Sequence, residues 1–183
     1  MKLTIRIVKF SLVSVLFFTV VTLSIGAEEQ QFEYLQEFEG LHITGVPFDF
    51  DMHTYRFTVT GKVDHPLSLT FEEMKALPAV RKNLTLTCPG YFTDSGTWTG
   101  VPVRVLLEKA GVQKDAKIVI FSVPDDSYRT RFPVAEAMHE DMLIAYEFNG
   151  KQFHRVHGFP LRLVAGGKEG SDWVKWLQKI VVE

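Results

Sequence analysis

Cysteine is nearly absent: Cys88 is the only one in 183 residues, so no disulfide can form within the chain. There is no Gly-x-Gly-x-x-Gly and no phosphate-binding loop signature, which removes the usual sequence grounds for a nucleotide site. There is no Gly-x-Ser-x-Gly nucleophile elbow and no Cys-x-x-Cys-His haem attachment site. The six histidines offer no zinc spacing. His154 and His157 are three apart, but Gly158 and Pro160 follow at once, which argues against a helix, and no Glu completes the motif. Repeats, low-complexity tracts and Pro/Gly/Ser-rich linkers are also missing, so a single domain is expected.

What is present is a globular composition: 46% hydrophobic residues, 20 Lys and Arg against 22 Asp and Glu, and a mean hydropathy of +0.05. These values exclude collagen-like, disordered and multi-pass membrane classes. The first nine residues carry Lys2, Arg6 and Lys9 and no acid, and an uncharged apolar run from Phe10 to Ile25 follows. Small residues at Ser24, Gly26 and Ala27 then lead into a polar stretch. This pattern predicts a secretory signal peptide or N-terminal anchor over 1–26, with the remainder exported, as to a periplasm. The apolar run is short beside the roughly 20 residues a membrane span needs. No Arg-Arg pair precedes it. The expected organisation continues with an N-terminal extension over 27–52 and the domain over 53–183.

Charge is uneven along the chain. Residues 27–150 hold 11 basic and 19 acidic side chains, whereas 151–183 hold six basic and three acidic. An acidic protein with one basic end is a poor nucleic-acid binder. Converging cations at that end could still hold one small anion.

The hydrophobic pattern predicts strands at 41–44, 55–61, 83–87, 118–121, 143–148, 161–164 and 174–182, and a weak amphipathic turn over 32–39. Thr70-Phe71-Glu72-Glu73 fits a capping box opening a short helix that Pro78 closes. Pro102 in front and Gly111 behind frame a second helix over 103–110, and a third is expected over 134–139. Asn149-Gly150 is a hairpin turn signal. The fold class is therefore α+β, with mixed β-sheets and short helices. Cys88, at a strand end before Pro89-Gly90, reads either as a thiol at a sheet rim or as a small buried hydrophobe.

Four stretches, taken in order, resemble the molybdopterin-binding domain of the sulfite oxidase family. They are Cys88 ending a polar strand, Trp98-Thr99-Gly100-Val101-Pro102 through Val112, Ala145 to Val164 with His157-Gly158-Phe159-Pro160-Leu161-Arg162, and Gly170 to Lys179 with Val174-Lys175-Trp176. The likeness implies the sulfite oxidase-like fold and a molybdenum-molybdopterin cofactor. It assigns the Cys88 sulfur to molybdenum, beside the cofactor's two dithiolene sulfurs, and His157, Arg162, Val174 and Lys175 to the pterin and phosphate ends. A soft thiolate suits a thiophilic metal, and Arg with Lys suits a phosphate. Asp126-Ser127-Tyr128 matches a family element and places Tyr128 or Arg129 against a substrate oxyanion. The implied activity is oxygen-atom transfer on a small oxyanion or sulfoxide, with electrons exchanged with a haem protein or membrane subunit. A second reading retains the fold as a cofactor-free module that captures an anionic ligand or partner protein.

Overall fold

The computed structural model describes residues 33–183, which belong to one compact unit. The basic and apolar segment over 1–26 lies outside the described residues. In chain order the strands are β1 (Glu37–Phe38), β2 (Leu41–His42), β3 (Phe57–Gly61), β4 (Leu67–Leu69), β5 (Val80–Cys88), β6 (Phe92–Pro102), β7 (Ile118–Ser122), β8 (Arg129–Pro133), β9 (Met142–Phe148), β10 (Lys151–Gln152), β11 (Arg162–Ala165) and β12 (Lys179–Val182). The helices are α1 (Phe71–Lys75), α2 (Val103–Ala110) and α3 (Val134–Ala137). Single 3-10 turns occupy Arg155–His157 and Gly170–Asp172.

Two five-stranded sheets carry the unit. One runs β4-β3-β12-β7-β8, with β3 and β12 parallel and its other pairs antiparallel. The other runs β10-β9-β6-β5, and β11 also pairs with β9. Each is built by local signals that agree with the long-range pairing. Thr70 accepts from the Glu73 N–H while Glu73 returns a bond to the Thr70 N–H, so the capping box opens α1 as expected. Gly111 takes the left-handed conformation that ends α2. Asn149 and Gly150 both have positive φ and turn β9 into β10.

The longest strand, β6, has no counterpart in the sequence expectations. It pairs with β5 from Cys88↔Phe92 to Val80↔Gly100, and with β9 on its other side. Gly100 lets β6 and β9 approach, since a Cβ there would strike the Ile144 carbonyl and the Ala145 backbone. Conversely, the strand expected over 174–182 is confined to Lys179–Val182. Trp176 takes φ +54°, and Lys175 turns inward to reach the carbonyls of Thr44 and Val156, so the segment before β12 cannot stay extended. The third helix is one turn, Val134–Ala137, rather than a run to His139.

One continuous core draws on residues of both sheets. Trp98, fully buried, packs on Phe148 and Trp173 at centroid distances of 4.6 and 5.3 Å, and its ring N–H donates to the Leu84 carbonyl. Leu41 and Ile43 are buried too, so the segment around β2 is packed onto the domain and brings His42 and Thr44 beside residues far along the chain.

Candidate cofactor site

A cavity of about 550 Å³ opens where the end of β5 meets the turns after β11. Cys88 reaches it because β5 ends there. Pro89-Gly90-Tyr91 turns the chain into β6, and the Tyr91 N–H donates to the Cys88 carbonyl at 3.0 Å. The thiol is half-buried, and burial pushes its pKa up, while Arg162 and, less strongly, Lys175 favour the thiolate. Gly170 faces the sulfur and leaves it room: a Cβ there would collide with Sγ. The 3-10 turn that carries Gly170 is tied to β8 by the Thr130 hydroxyl, which donates to Asp172 at 2.8 Å.

Arg162 and Lys175 line the same cavity. They are only 4% and 8% exposed, yet neither joins an ion pair among the described residues. Arg162 donates through Nη1 to the His157 carbonyl at 3.3 Å, lies 5.2 Å over the Trp98 ring, and keeps a buried Nε without a partner. Lys175 Nζ donates to the carbonyls of Thr44 at 2.5 Å and Val156 at 3.2 Å. Burial brings Arg162 down to about 10, and burial together with the Arg162 charge brings Lys175 down to about 6. A buried guanidinium and a buried amine that join no ion pair are costly to charge, and an anion in the cavity removes that cost.

The structure therefore brings Cys88, Arg162, Lys175 and Tyr128 together, and it separates three other expected site residues from them. His157 is not on this wall. It lines a second cavity of about 300 Å³, its Nε2–H donates to the Phe38 carbonyl at 2.7 Å, and it supports Arg162 only through its own carbonyl. Burial holds this imidazole at about 4, so it is neutral at pH 7, and its buried Nδ1 is an acceptor without a partner. Val174 is fully buried in the core, with its carbonyl taken by the Leu163 N–H. Arg129 is exposed at the start of β8, opposite Ser122. Tyr128 stands at the mouth and donates to the Ser171 carbonyl at 2.6 Å, with its phenol pushed up chiefly by burial.

Sequence reasoning missed His42, Asp94, Thr44 and Gly170. No local signal marks them, because their partners lie many residues away, as with Thr44 and Lys175. The donor set as found suits a cofactor with a soft metal and an anionic tail. The thiol can ligate the metal, the buried cations can meet phosphate, and the orphaned His157 Nδ1 and Arg162 Nε are an acceptor and a donor still to be used.

Residues 43–183 match the family described as "Oxidoreductase molybdopterin binding domain". The chain belongs to that family. It is 35% identical over 144 residues to the uncharacterized oxidoreductase YuiH of Bacillus subtilis (strain 168), covering 78% of this chain and 72% of that protein. It is 28% identical over 172 residues to the sulfite oxidase of Arabidopsis thaliana, covering 75% of this chain and 44% of that protein. Its fold matches the sulfane dehydrogenase SoxCD from Paracoccus pantotrophus with a TM-score of 0.69 and 26% identity, over 84% of this chain and 50% of that one. The chain thus spans half or less of the last two proteins. The molybdopterin-binding family is that of the sulfite oxidases, its fold is the one found here, and its cofactor is molybdenum-molybdopterin. As a member, this chain is a molybdenum-cofactor oxidoreductase.

Proposed function

We propose that this domain transfers an oxygen atom between molybdenum and a small sulfur-oxide substrate, works outside the cytoplasm, and exchanges electrons with a separate haem protein or membrane subunit. The observation that carries the reading is the meeting of Cys88 with two buried basic side chains that join no ion pair among the described residues. Cys88 would ligate the metal, Arg162 and Lys175 would hold the anionic end of the cofactor, and His157 would meet the pterin from the adjoining cavity. When bound, the cofactor supplies two-electron oxygen-atom exchange. The protein's part is to fix the thiolate, neutralise the tail and enclose the substrate.

The cavity mouth favours a neutral sulfoxide over a bare oxyanion such as sulfite. Tyr34, Val46, Phe48 and Trp176 line the cavity and suit a substrate with an apolar body. Arg162 and Lys175 are committed in this reading to the cofactor. Tyr128 and Ser127 remain at the mouth, where the substrate passes. Export rests on the basic and apolar residues of the 1–26 segment, and fractionation that leaves the protein in the cytoplasm would reject it.

Turnover tests the reaction class. The molybdenum-loaded protein should reduce dimethyl sulfoxide with reduced methyl viologen as electron donor, at a kcat/KM well above that for oxidising sulfite with ferricyanide. The opposite preference would assign the site to an oxyanion. Inactivity in both assays, in protein shown to carry the metal, would reject oxygen transfer on sulfur.

A further inference from the structure

His42 lies on the wall of the cavity that holds Cys88 and pairs there with Asp94, which does not itself line the cavity. His42 ends β2, its side chain is one-quarter exposed, and one face of the ring stacks on Phe92 with centroids 4.4 Å apart and planes 12° apart. Asp94, on β6 and 5% exposed, gives both carboxylate oxygens to this one residue. Oδ1 lies 2.6 Å from His42 Nδ1, and Oδ2 accepts from the His42 backbone N–H at 2.9 Å. An ionised carboxylate only accepts, so Nδ1 carries a hydrogen in either charge state of the ring, and Nε2 is the nitrogen that gains and loses a proton. An imidazole held at one nitrogen by a buried carboxylate is aimed for proton transfer at the other.

The other ionisable groups facing His42 are few. Glu37 stands opposite it on β1, and the same cavity is lined by Tyr34, Cys88, Tyr128, Arg162 and Lys175. In the proposed function Cys88 ligates the metal and Arg162 and Lys175 hold the cofactor, which leaves His42, Tyr128 and Tyr34 as proton-bearing groups, and Tyr34 is 70% exposed to solvent. Tyr128 already donates its hydrogen to the Ser171 carbonyl.

We propose that His42, oriented by Asp94, carries the proton that the departing substrate oxygen receives. The proposal rests on the sulfoxide reading above. In that reaction the S–O bond breaks, the sulfur takes up two electrons supplied through a reduced redox partner protein, and the oxygen leaves as water with two protons. Nε2–H of His42 gives one of these, and solvent gives the other and then reprotonates Nε2. Asp94 is a positioning residue for the ring it holds, and its charge is also felt by Arg162, Lys175 and Cys88.

The test uses the full chain, with His42→Gln, Asp94→Asn and Asp94→Glu compared at equal molybdenum content in dimethyl sulfoxide reduction. His42→Gln should keep the metal and the melting temperature and lose at least about tenfold in kcat, with KM within about threefold, since a positioned acid contributes on the order of a hundredfold or more. Asp94→Asn should lose less, and Asp94→Glu should recover part of that loss. An undiminished kcat in His42→Gln, or loss of metal together with activity, would overturn the proposal. A second readout needs no turnover: in histidine-labelled, metal-free protein, dimethyl sulfoxide should shift the His42 Nε2 resonance and leave Nδ1 nearly unmoved. If the wild type proves to bind no molybdenum, the oxygen-transfer reading fails and this proposal with it. Where the wild type does carry the metal, a shifted Nε2 supports the proposal, and an unmoved one rejects it while leaving the oxygen-transfer reading standing.

Discussion

The Cys88 sulfur and Gly170 are in direct apposition, so that any side chain at 170 would enter the space the sulfur occupies. A Cβ there would also come within 3.1 Å of Leu86 Cδ2 and 3.3 Å of the Thr87 carbonyl. Gly170→Ala must therefore turn the thiol or displace the 3-10 turn that Asp172 ties to β8. The expected outcome is a folded protein with at least a tenfold loss of bound molybdenum, measured by elemental analysis beside circular dichroism. Full metal content in Gly170→Ala would show that the sulfur does not need its present position.

Lys175 should make the ligand-free protein more stable as pH rises. Its ordinary value of 10.5 is lowered to about 6 in the folded chain, by burial first and then by the Arg162 charge. Between these values the unfolded chain holds a proton on Lys175 that the folded chain lacks. Stability contributed by this group therefore increases from pH 6 toward 10 and is lost as pH falls toward 6. Denaturant titrations at several pH values should show a steeper rise for wild type than for Lys175→Met. Parallel curves would mean that the amine is not desolvated as the structure places it. The loaded protein should lose this slope, because the cofactor's anion restores the charge.

Stability and site should separate cleanly at α1. Thr70→Ala removes the side-chain half of the capping box, the bond that Thr70 Oγ1 accepts from the Glu73 N–H, at a cost of about 1 kcal/mol. The capping box is remote from the cavity, so the variant should melt earlier and retain wild-type molybdenum content and kcat. Coupled loss of metal would show that α1 supports the site.

These outcomes also mark how far the amino-acid pattern reaches. Thr70 with Glu73, Pro102 with Gly111 and Asn149 with Gly150 were legible because each acts on its own few residues of backbone. Strand β6 was not, since Asp94, Ser95 and Gly96 at its centre disfavour strands and are held extended by pairing with β5. In the site, Cys88, Arg162, Lys175 and Tyr128 were found through family resemblance and do share one cavity. His157 stands one 3-10 turn before β11, and that turn points its ring toward Phe38 and the second cavity, a direction that spacing does not encode. His42 and Asp94 are 52 residues apart, and only the packing of β2 on β6 joins them.

Molybdenum per chain in Cys88→Ser, beside wild type from molybdate-fed cells, tests the whole account most directly. The account predicts about one atom per wild-type chain and none in the serine variant, with both folded. Wild-type protein that is folded and free of the metal, or a serine variant that retains a full complement, would contradict it.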